Sequence, residues 1–310
     1  MDRDEQTKRS DISLNKGSVW GLIIAITLIW GYAWVLMKAS LDHMGPFTFS
    51  SFRFGTGALT LLLIVWIARL GLPPKRYIKH LIIIGFLQTT VVFTLVMFAL
   101  MFVDAGKSSV LLYSMPLWSS LLAVKFLGEH LSRWKIAGLI SGMLGLLTIL
   151  GWDIWLGQNI EVIIGEILII ISAISWGIAN IYYRLNVSDL PKLQSSAFQM
   201  LFGVLGIFIA TLVMESGQPI IFNTESIYYI LFTGVLASAL CFTVWYVIMS
   251  TVDMVTATIS TLLVPMFGLI LSSLLLNEEL TIGVITGSTL ILVGIVLSQI
   301  TYDKKRTEHR

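Results

Sequence analysis

Three groups of aromatic and polar side chains interrupt otherwise apolar stretches of this chain, and each could hold a small solute. The first is Trp30, Trp34 and Lys38, spaced i, i+4, i+8, which returns as Trp176, Asn180 and Arg184. That spacing places each set on one helix face. An indole face offers stacking area and an N–H donor. Near span ends tryptophan is an ordinary interfacial anchor, but Trp30 and Trp176 fall near the middle of their apolar runs, which favours a cavity lining. Lys38 and Arg184 read as snorkelling ends rather than ligands.

The second group is Arg53, in SSFRFGTG, with Gln199, in SAFQMLFG. Arg53 stands about two turns, roughly 10 Å, inside its run. A guanidinium in lipid is costly, so it must face a polar cavity, a partner or the headgroups. Its counter-charge would be Asp42, another outer carboxylate or the carboxylate of a solute; no carboxylate is read at mid-depth of any span. The third group is Gln88, Tyr113, Ser114, Trp245 and Tyr246, the last two sharing a side with Gly234 and Ser238. Gln88 has four hydrogen-bonding sites to satisfy and fits a wet cavity better than a dry bundle. Pro116 and Pro265 are helix-break positions, where a missing N–H disturbs the carbonyls of Leu112 and Thr261 one turn earlier.

The elements that must position these groups are membrane spans. The chain has 310 residues, 56% hydrophobic and 12% charged, against about 25% charged in soluble domains, and its mean hydropathy is +0.87. Runs long enough to cross a bilayer stand at 19–39, 47–69, 81–103, 107–127, 134–151, 163–184, 195–214, 227–249, 254–276 and 281–301. Ten spans place both termini on one side. With that side cytoplasmic, sixteen Lys and Arg fall in cytoplasmic segments and only Lys38 and Lys107 in outer connections, a strong positive-inside bias. The leader is too charged for a signal h-region and reads as retained. The net charge of +2 argues for no nucleic acid or other polyanionic partner. The single cysteine, Cys241, excludes an intramolecular disulfide.

The second half repeats the first. At an offset of 149, Asp104 falls on Asp253, Pro116 on Pro265, Glu129 on Glu278 and Gly145 on Gly294; at 146, Trp30-Gly31 falls on Trp176-Gly177, Arg53 on Gln199 and Gly57 on Gly203. With five spans per half, the second half enters from the opposite side, the inverted repeat of secondary transporters. The organisation is a cytoplasmic tail (1–18), a first repeat (19–151), an outer linker (152–162), a second repeat (163–301) and a cytoplasmic tail (302–310). Spans five and ten carry small-residue faces, GLISGMLG and Gly283, Gly287, Gly294. They read as scaffold helices or as the contact of a homodimer. Glu129 and Glu278 close spans four and nine and read as caps.

No H-E-x-x-H, G-x-S-x-G or paired-aspartate motif calls for catalysis, a metal or a cofactor. A channel would show continuous polar lining, and a receptor would need a sensory domain. IWGYAW, RFGTGAL and GEHLSRWKIAGLISGMLG, echoed as SWGIANIYY, FQMLFG and VPMFGLILSSLLLNEELTIGVITGSTLILVG, make the chain similar to the EamA family of the drug/metabolite transporter superfamily from about 20 to 300. The resemblance implies an all-α membrane protein of ten helices in two inverted five-helix repeats. It also implies a central cavity and alternating access in the plasma membrane, usually exporting amino acids or similar small metabolites. Efflux of drugs or toxic compounds, or import of a metabolite, are the alternatives.

Overall fold

The computed structural model describes residues 16–127, 132–155, 157, 159–251, 261 and 263–299; Glu129, Asp253, residues 1–15 of the first tail and the whole of the second lie outside the described residues. Every regular element among those described is helical. In order they are α1 (Lys16–Ala39), α2 (Pro46–Ile67), α3 (Lys75–Ile84, running through a π segment Gly85–Val91 into Val92–Ala99), α4 (Ala105–Leu112), α5 (Met115–Leu127) and α6 (Arg133–Trp155). Then follow α7 (Ile160–Asn186), α8 (Lys192–Met214), α9 (Thr224–Leu231, running through a π segment Phe232–Leu240 into Cys241–Thr251), α10 (Leu263–Leu276) and α11 (Ile282–Gln299). Among the described residues, six helices are long and apolar enough to cross a membrane: Trp20–Asp42, Pro46–Ile67, Lys75–Ala99, Ile160–Asn186, Lys192–Met214 and Thr224–Ile248. Shorter apolar helices lie at Ile136–Ile149, Leu263–Leu276 and Ile282–Gly294.

The run expected to span from 107 to 127 is two helices, broken at Tyr113 and Ser114. Pro116 sits in the first turn of α5, where its missing N–H costs nothing, and it cannot donate to Leu112 at the end of α4. Ser114 N–H instead donates to Leu111 O at 3.2 Å, and Leu117 N–H to Ser114 O at 2.9 Å. Pro265 likewise lies in the first turn of α10. Thr261 O, which Pro265 cannot serve, accepts from Val264 N–H at 3.0 Å.

The packing runs mainly between the two halves: α1 against α10, α2 against α8, α3 against α8 and α7, and α6 against α11. Two contacts are reciprocal. A Cβ added at Gly57 on α2 would come 2.9 Å from the Gly234 carbonyl oxygen in the π segment of α9. One added at Gly203 on α8 would come 2.6 Å from the Gly85 carbonyl oxygen in the π segment of α3. Gly57 and Gly203 are equivalent positions of the two halves, as are Gly85 and Gly234. The glycine faces of α6 and α11 meet each other: Gly145 abuts the Gly287 carbonyl, Gly294 abuts Gly138 and Gly142, and Ser141 Oγ donates to Leu290 O at 2.9 Å. The small-residue stripes are thus consumed within the chain. What α6 and α11 turn outward is apolar, including Ile140, Leu147 and Ile285.

Helix ends are closed by side chains from distant elements. The Glu215 carboxylate, beyond α8, accepts from Phe47 N–H at 2.9 Å and from Thr48 N–H and Oγ1 at 2.6 Å each, capping α2. Glu278 accepts from Ala105 N–H at 2.7 Å and Gly106 N–H at 3.0 Å, so its cap serves α4 rather than its own helix. Gln194 Nε2 donates to Leu70 O and Gly71 O after α2. Replacing Gly203 with Val should lower stability by about 2 kcal/mol, the cost of overpacking a close contact. Thermal unfolding in detergent would check it, with Gly55→Val, where a Cβ meets nothing within 4 Å, as the neutral comparison.

Candidate functional site

A small cavity lies where α1, α2, α3, α4, α7 and α9 converge. Of the residues singled out in the sequence, Trp30, Trp34, Arg53, Tyr113 and Trp176 line it, together with Ala33, Met37, Phe93, Leu112 and Phe242. Trp30, Ala33, Trp34 and Met37 share one face of α1 through their i, i+3, i+4, i+7 spacing. Tyr113 reaches the cavity because α4 stops there, at the break before Pro116. The cavity volume is about 20 Å³. That is room for about one water, far below the roughly 300 Å³ of a small-molecule pocket, so the arrangement is closed.

The walls are rings. Trp176 stacks on Phe242 with centroids 6.4 Å apart and planes at 12°, and Trp30 meets Phe242 edge-on at 6.0 Å. Trp30 Nε1 donates to Ala237 O at 2.8 Å. Ala237 belongs to the π segment of α9, where the altered helix register frees carbonyls for other donors. The π segment of α3 is served in the same way by Ser175 Oγ, which donates to Leu87 O at 2.8 Å. Each π segment is therefore held by a side chain from the other half, next to or at a cavity tryptophan.

Arg53 is 2% exposed. Its Nε donates to Ser238 Oγ at 3.0 Å and one terminal nitrogen to Met37 Sδ at 2.8 Å. The guanidinium carbon lies 4.9 Å from the Phe54 ring centroid and 4.8 Å from that of Phe93, a double cation–π contact. No carboxylate pairs with it among the described residues. A buried cation held by a hydroxyl, a thioether and two ring faces keeps capacity for an incoming anion.

Six selected residues are not among those lining this cavity. Ser114 Oγ donates to Leu111 O at 2.7 Å and accepts from Trp118 Nε1, serving the chain break. Asn180 Nδ2 donates to Met115 Sδ at 3.3 Å. Trp245 packs against Trp30 with centroids 6.1 Å apart. Gln88 Oε1 accepts from Tyr246 O–H at 3.0 Å, and Gln199 Oε1 accepts from Thr89 Oγ1 at 3.0 Å. Gln199 and Thr89 are the repeat equivalents of Arg53 and Ser238, so one inter-helix joint occurs twice, once charged and once neutral. Phe93 and Phe242 were missed, although Phe-Thr recurs there at the offset of 149.

Each half of the chain matches the same known family. The EamA-like transporter family is found at residues 16–151 and again at 163–300. The chain belongs to that family. It is 31% identical over 285 residues to the uncharacterized transporter YoaV of Bacillus subtilis (strain 168), covering 92% of this chain and 97% of that one. It is 24% identical to a probable amino-acid metabolite efflux pump of Salmonella typhimurium (92% and 96% covered) and 24% identical to one of Escherichia coli (strain K12; 89% and 93% covered). A solved crystal structure shares the fold, with a TM-score of 0.66 at 18% identity over 92% of this chain and 98% of that chain. This EamA-family chain is a multi-pass membrane protein of a transporter family.

The EamA-family chain also carries a buried ion pair that its sequence did not disclose. Glu166, on α7, is 0% exposed, and its Oε1 lies 3.1 Å from the Lys107 ammonium of α4, itself 7% exposed. Glu166 stands three residues inside the run 163–184, about one turn from its start rather than at mid-depth. Lys38 departs from expectation. Rather than snorkelling outward, its Nζ donates to Leu100 O at 2.5 Å and Val103 O at 3.0 Å, closing the end of α3. Arg184 is exposed, as a snorkelling end would be. Lys38 and Lys107 line a polar recess of about 610 Å³ with Asp42, Asp104, Glu278 and Glu279. Glu166→Gln removes the carboxylate that faces the buried Lys107 ammonium and should cost about 3–5 kcal/mol. Lys107→Met with Glu166→Leu should recover most of that loss. Equal destabilisation of the single and double variants in thermal unfolding would show that the two charges do not act as a unit.

Proposed function

We propose that this chain is a secondary transporter of the plasma membrane that exports amino acids or similar small metabolites bearing a carboxylate, by alternating access through the aromatic cavity. The carrying observation is Arg53, a buried guanidinium on the cavity wall with no carboxylate partner among the described residues. A solute carboxylate completes that pairing, and the rings of Trp30, Trp176 and Phe242 take the solute's apolar part. The efflux-pump names of two relatives at 24% identity support the class of solute. The cavity volume of about 20 Å³ fits an occluded or resting form that opens alternately to each side.

This reading includes ten spans as two inverted five-helix repeats. The reciprocal glycine contacts, the π segments at equivalent positions and the doubled Arg53–Ser238 and Gln199–Thr89 joint support it. It also places both termini in the cytoplasm, from the distribution of Lys and Arg, and leaves the outer faces of α6 and α11 as the contact of a homodimer. Movement of solute down an outward gradient would suffice for export. Efflux of flat aromatic drugs is a second reading, favoured by the ring-lined walls.

Efflux of a panel of labelled amino acids from proteoliposomes tests the proposal. Saturable efflux is expected from the wild type, at least a tenfold loss in Arg53→Ala, and partial retention in Arg53→Lys, which keeps charge but not the planar fork. If Arg53→Ala is folded and exports carboxylate solutes unchanged, the role given to Arg53 is wrong.

A further inference from the structure

A second polar assembly lies one to two turns along the bundle from the Arg53 cavity, and nothing in the cavity's closure accounts for it. Three helices measure the step. Gln88 precedes Phe93 by five residues on α3, whereas Tyr246 follows Phe242 by four on α9 and Tyr183 follows Trp176 by seven on α7. At 1.5 Å per residue these are displacements of about 7, 6 and 10 Å. All three point toward the end of the bundle where α3 begins and where α7 gives way to α8.

The assembly closes on itself. Tyr183 stacks on Tyr246 with centroids 4.6 Å apart and planes at 20°. Tyr246 O–H donates to Gln88 Oε1, and Thr89, next along α3, donates to Gln199 Oε1, both at 3.0 Å. Ser195 lies one helical turn from Gln199 on α8, and its Oγ, like the Tyr183 hydroxyl, is buried without a hydrogen-bond partner among the described residues. Gln88, Thr89, Tyr183, Ser195, Gln199 and Tyr246 are all buried. Both glutamines spend their carbonyl oxygen inside the assembly and keep an amide nitrogen, Nε2, with no hydrogen-bond partner among the described residues; Nε1 of Trp245, the residue before Tyr246, is in the same condition.

Three buried donors without acceptors are expensive to leave so. Such a set of donors, with no formal charge among the six residues, fits a ligand group that only accepts. We infer that Gln88, Gln199 and Tyr246 form a second, neutral binding station for the acceptor end of the transported solute, between the Arg53 cavity and the end of the bundle marked by Lys192. This rests on the reading of the protein as a transporter of carboxylate-bearing solutes and adds a stage to it. Lys192 lies 6.0 Å from the Tyr183 ring centroid, a positive charge at the approach. A carboxylate drawn in there meets amide donors first and the guanidinium of Arg53 second. Because amides bind a carboxylate less tightly than a cation does, the first station binds and releases while the second selects. The repeat equivalence of Gln199 and Arg53 makes these the same joint of the fold, used at two depths.

The test separates the stations by the charge of the probe. L-phenylalanine carries the carboxylate; its amide, L-phenylalaninamide, keeps an acceptor carbonyl but offers Arg53 no anion. Binding of both labelled probes would be measured on the full chain in nanodiscs, with efflux of phenylalanine measured in proteoliposomes. The station predicts that Gln199→Met and Gln88→Met each weaken amide binding at least tenfold, whereas Arg53→Ala leaves it within threefold and removes phenylalanine efflux. Unfolding temperatures identify any variant that is merely unstable, and the two glutamines stand on different helices, so one can report if the other fails to fold. Amide binding that is absent from the wild type, or that Arg53→Ala weakens as much as the glutamine variants do, overturns the second station. So does amide binding unchanged in both folded glutamine variants. Phenylalanine efflux that survives Arg53→Ala would instead overturn the role of Arg53, while the glutamine variants still report on the station.

Discussion

Within a bilayer no backbone N–H or C=O can be left to the lipid, and the architecture of this chain follows from how that demand is met where helices end or lose register. Four helix ends are closed by side chains remote in sequence: Glu215 on the start of α2, Glu278 on the start of α4, Lys38 on the end of α3 and Gln194 beyond the end of α2. Two π segments are held by Trp30 and Ser175 from the opposite half. Carboxylates sit at helix starts and an ammonium at a helix end, the order the helix dipole favours. The polar residues of this protein are therefore mostly committed to backbone, and those that are not stand out.

Arg53 is the clearest of these. Its hydroxyl, thioether and ring contacts orient the guanidinium without neutralising it, whereas Lys107 is matched by Glu166. Two buried cations in one bundle thus have opposite electrostatic situations. One is compensated and structural in character; the other faces a cavity too small for anything but water. The doubled joint between α2 and α9 and between α8 and α3 explains how such asymmetry arises without disturbing the fold. The close backbone contact at Gly57–Gly234 recurs at Gly203–Gly85, while the side-chain pair one turn away differs, arginine with serine in one and glutamine with threonine in the other.

Anomaly was the legible signal. A basic residue inside an apolar run and tryptophans at mid-span are hard to place by packing alone, and Arg53, Trp30, Trp34, Tyr113 and Trp176 do meet in one cavity. Helical spacing fixes a face but not the depth at which that face meets another helix. For that reason Gln88, Gln199 and Tyr246 could be chosen correctly as buried polar groups and still belong to a separate assembly. The π segments had no sequence signature, since seven to nine residues with shifted hydrogen bonds have an ordinary apolar composition. Glu166 was hidden by its surroundings: a single acid among isoleucines and a lysine near a helix start are each unremarkable until the fold brings them together. The small-residue stripes of α6 and α11 were visible, but spacing alone does not say whether the partner is the same chain or another copy.

The long reach of the caps also sets an order of assembly during synthesis. The start of α2 waits for Glu215 and the start of α4 for Glu278, while the freed carbonyl of Leu87 waits for Ser175. Until the second half leaves the ribosome, the first half holds helix ends whose partners do not yet exist, and water or lipid headgroups must serve them. The two halves are thus not domains that fold in turn and then dock. Helix ends and π-segment carbonyls in each half are completed by side chains of the other.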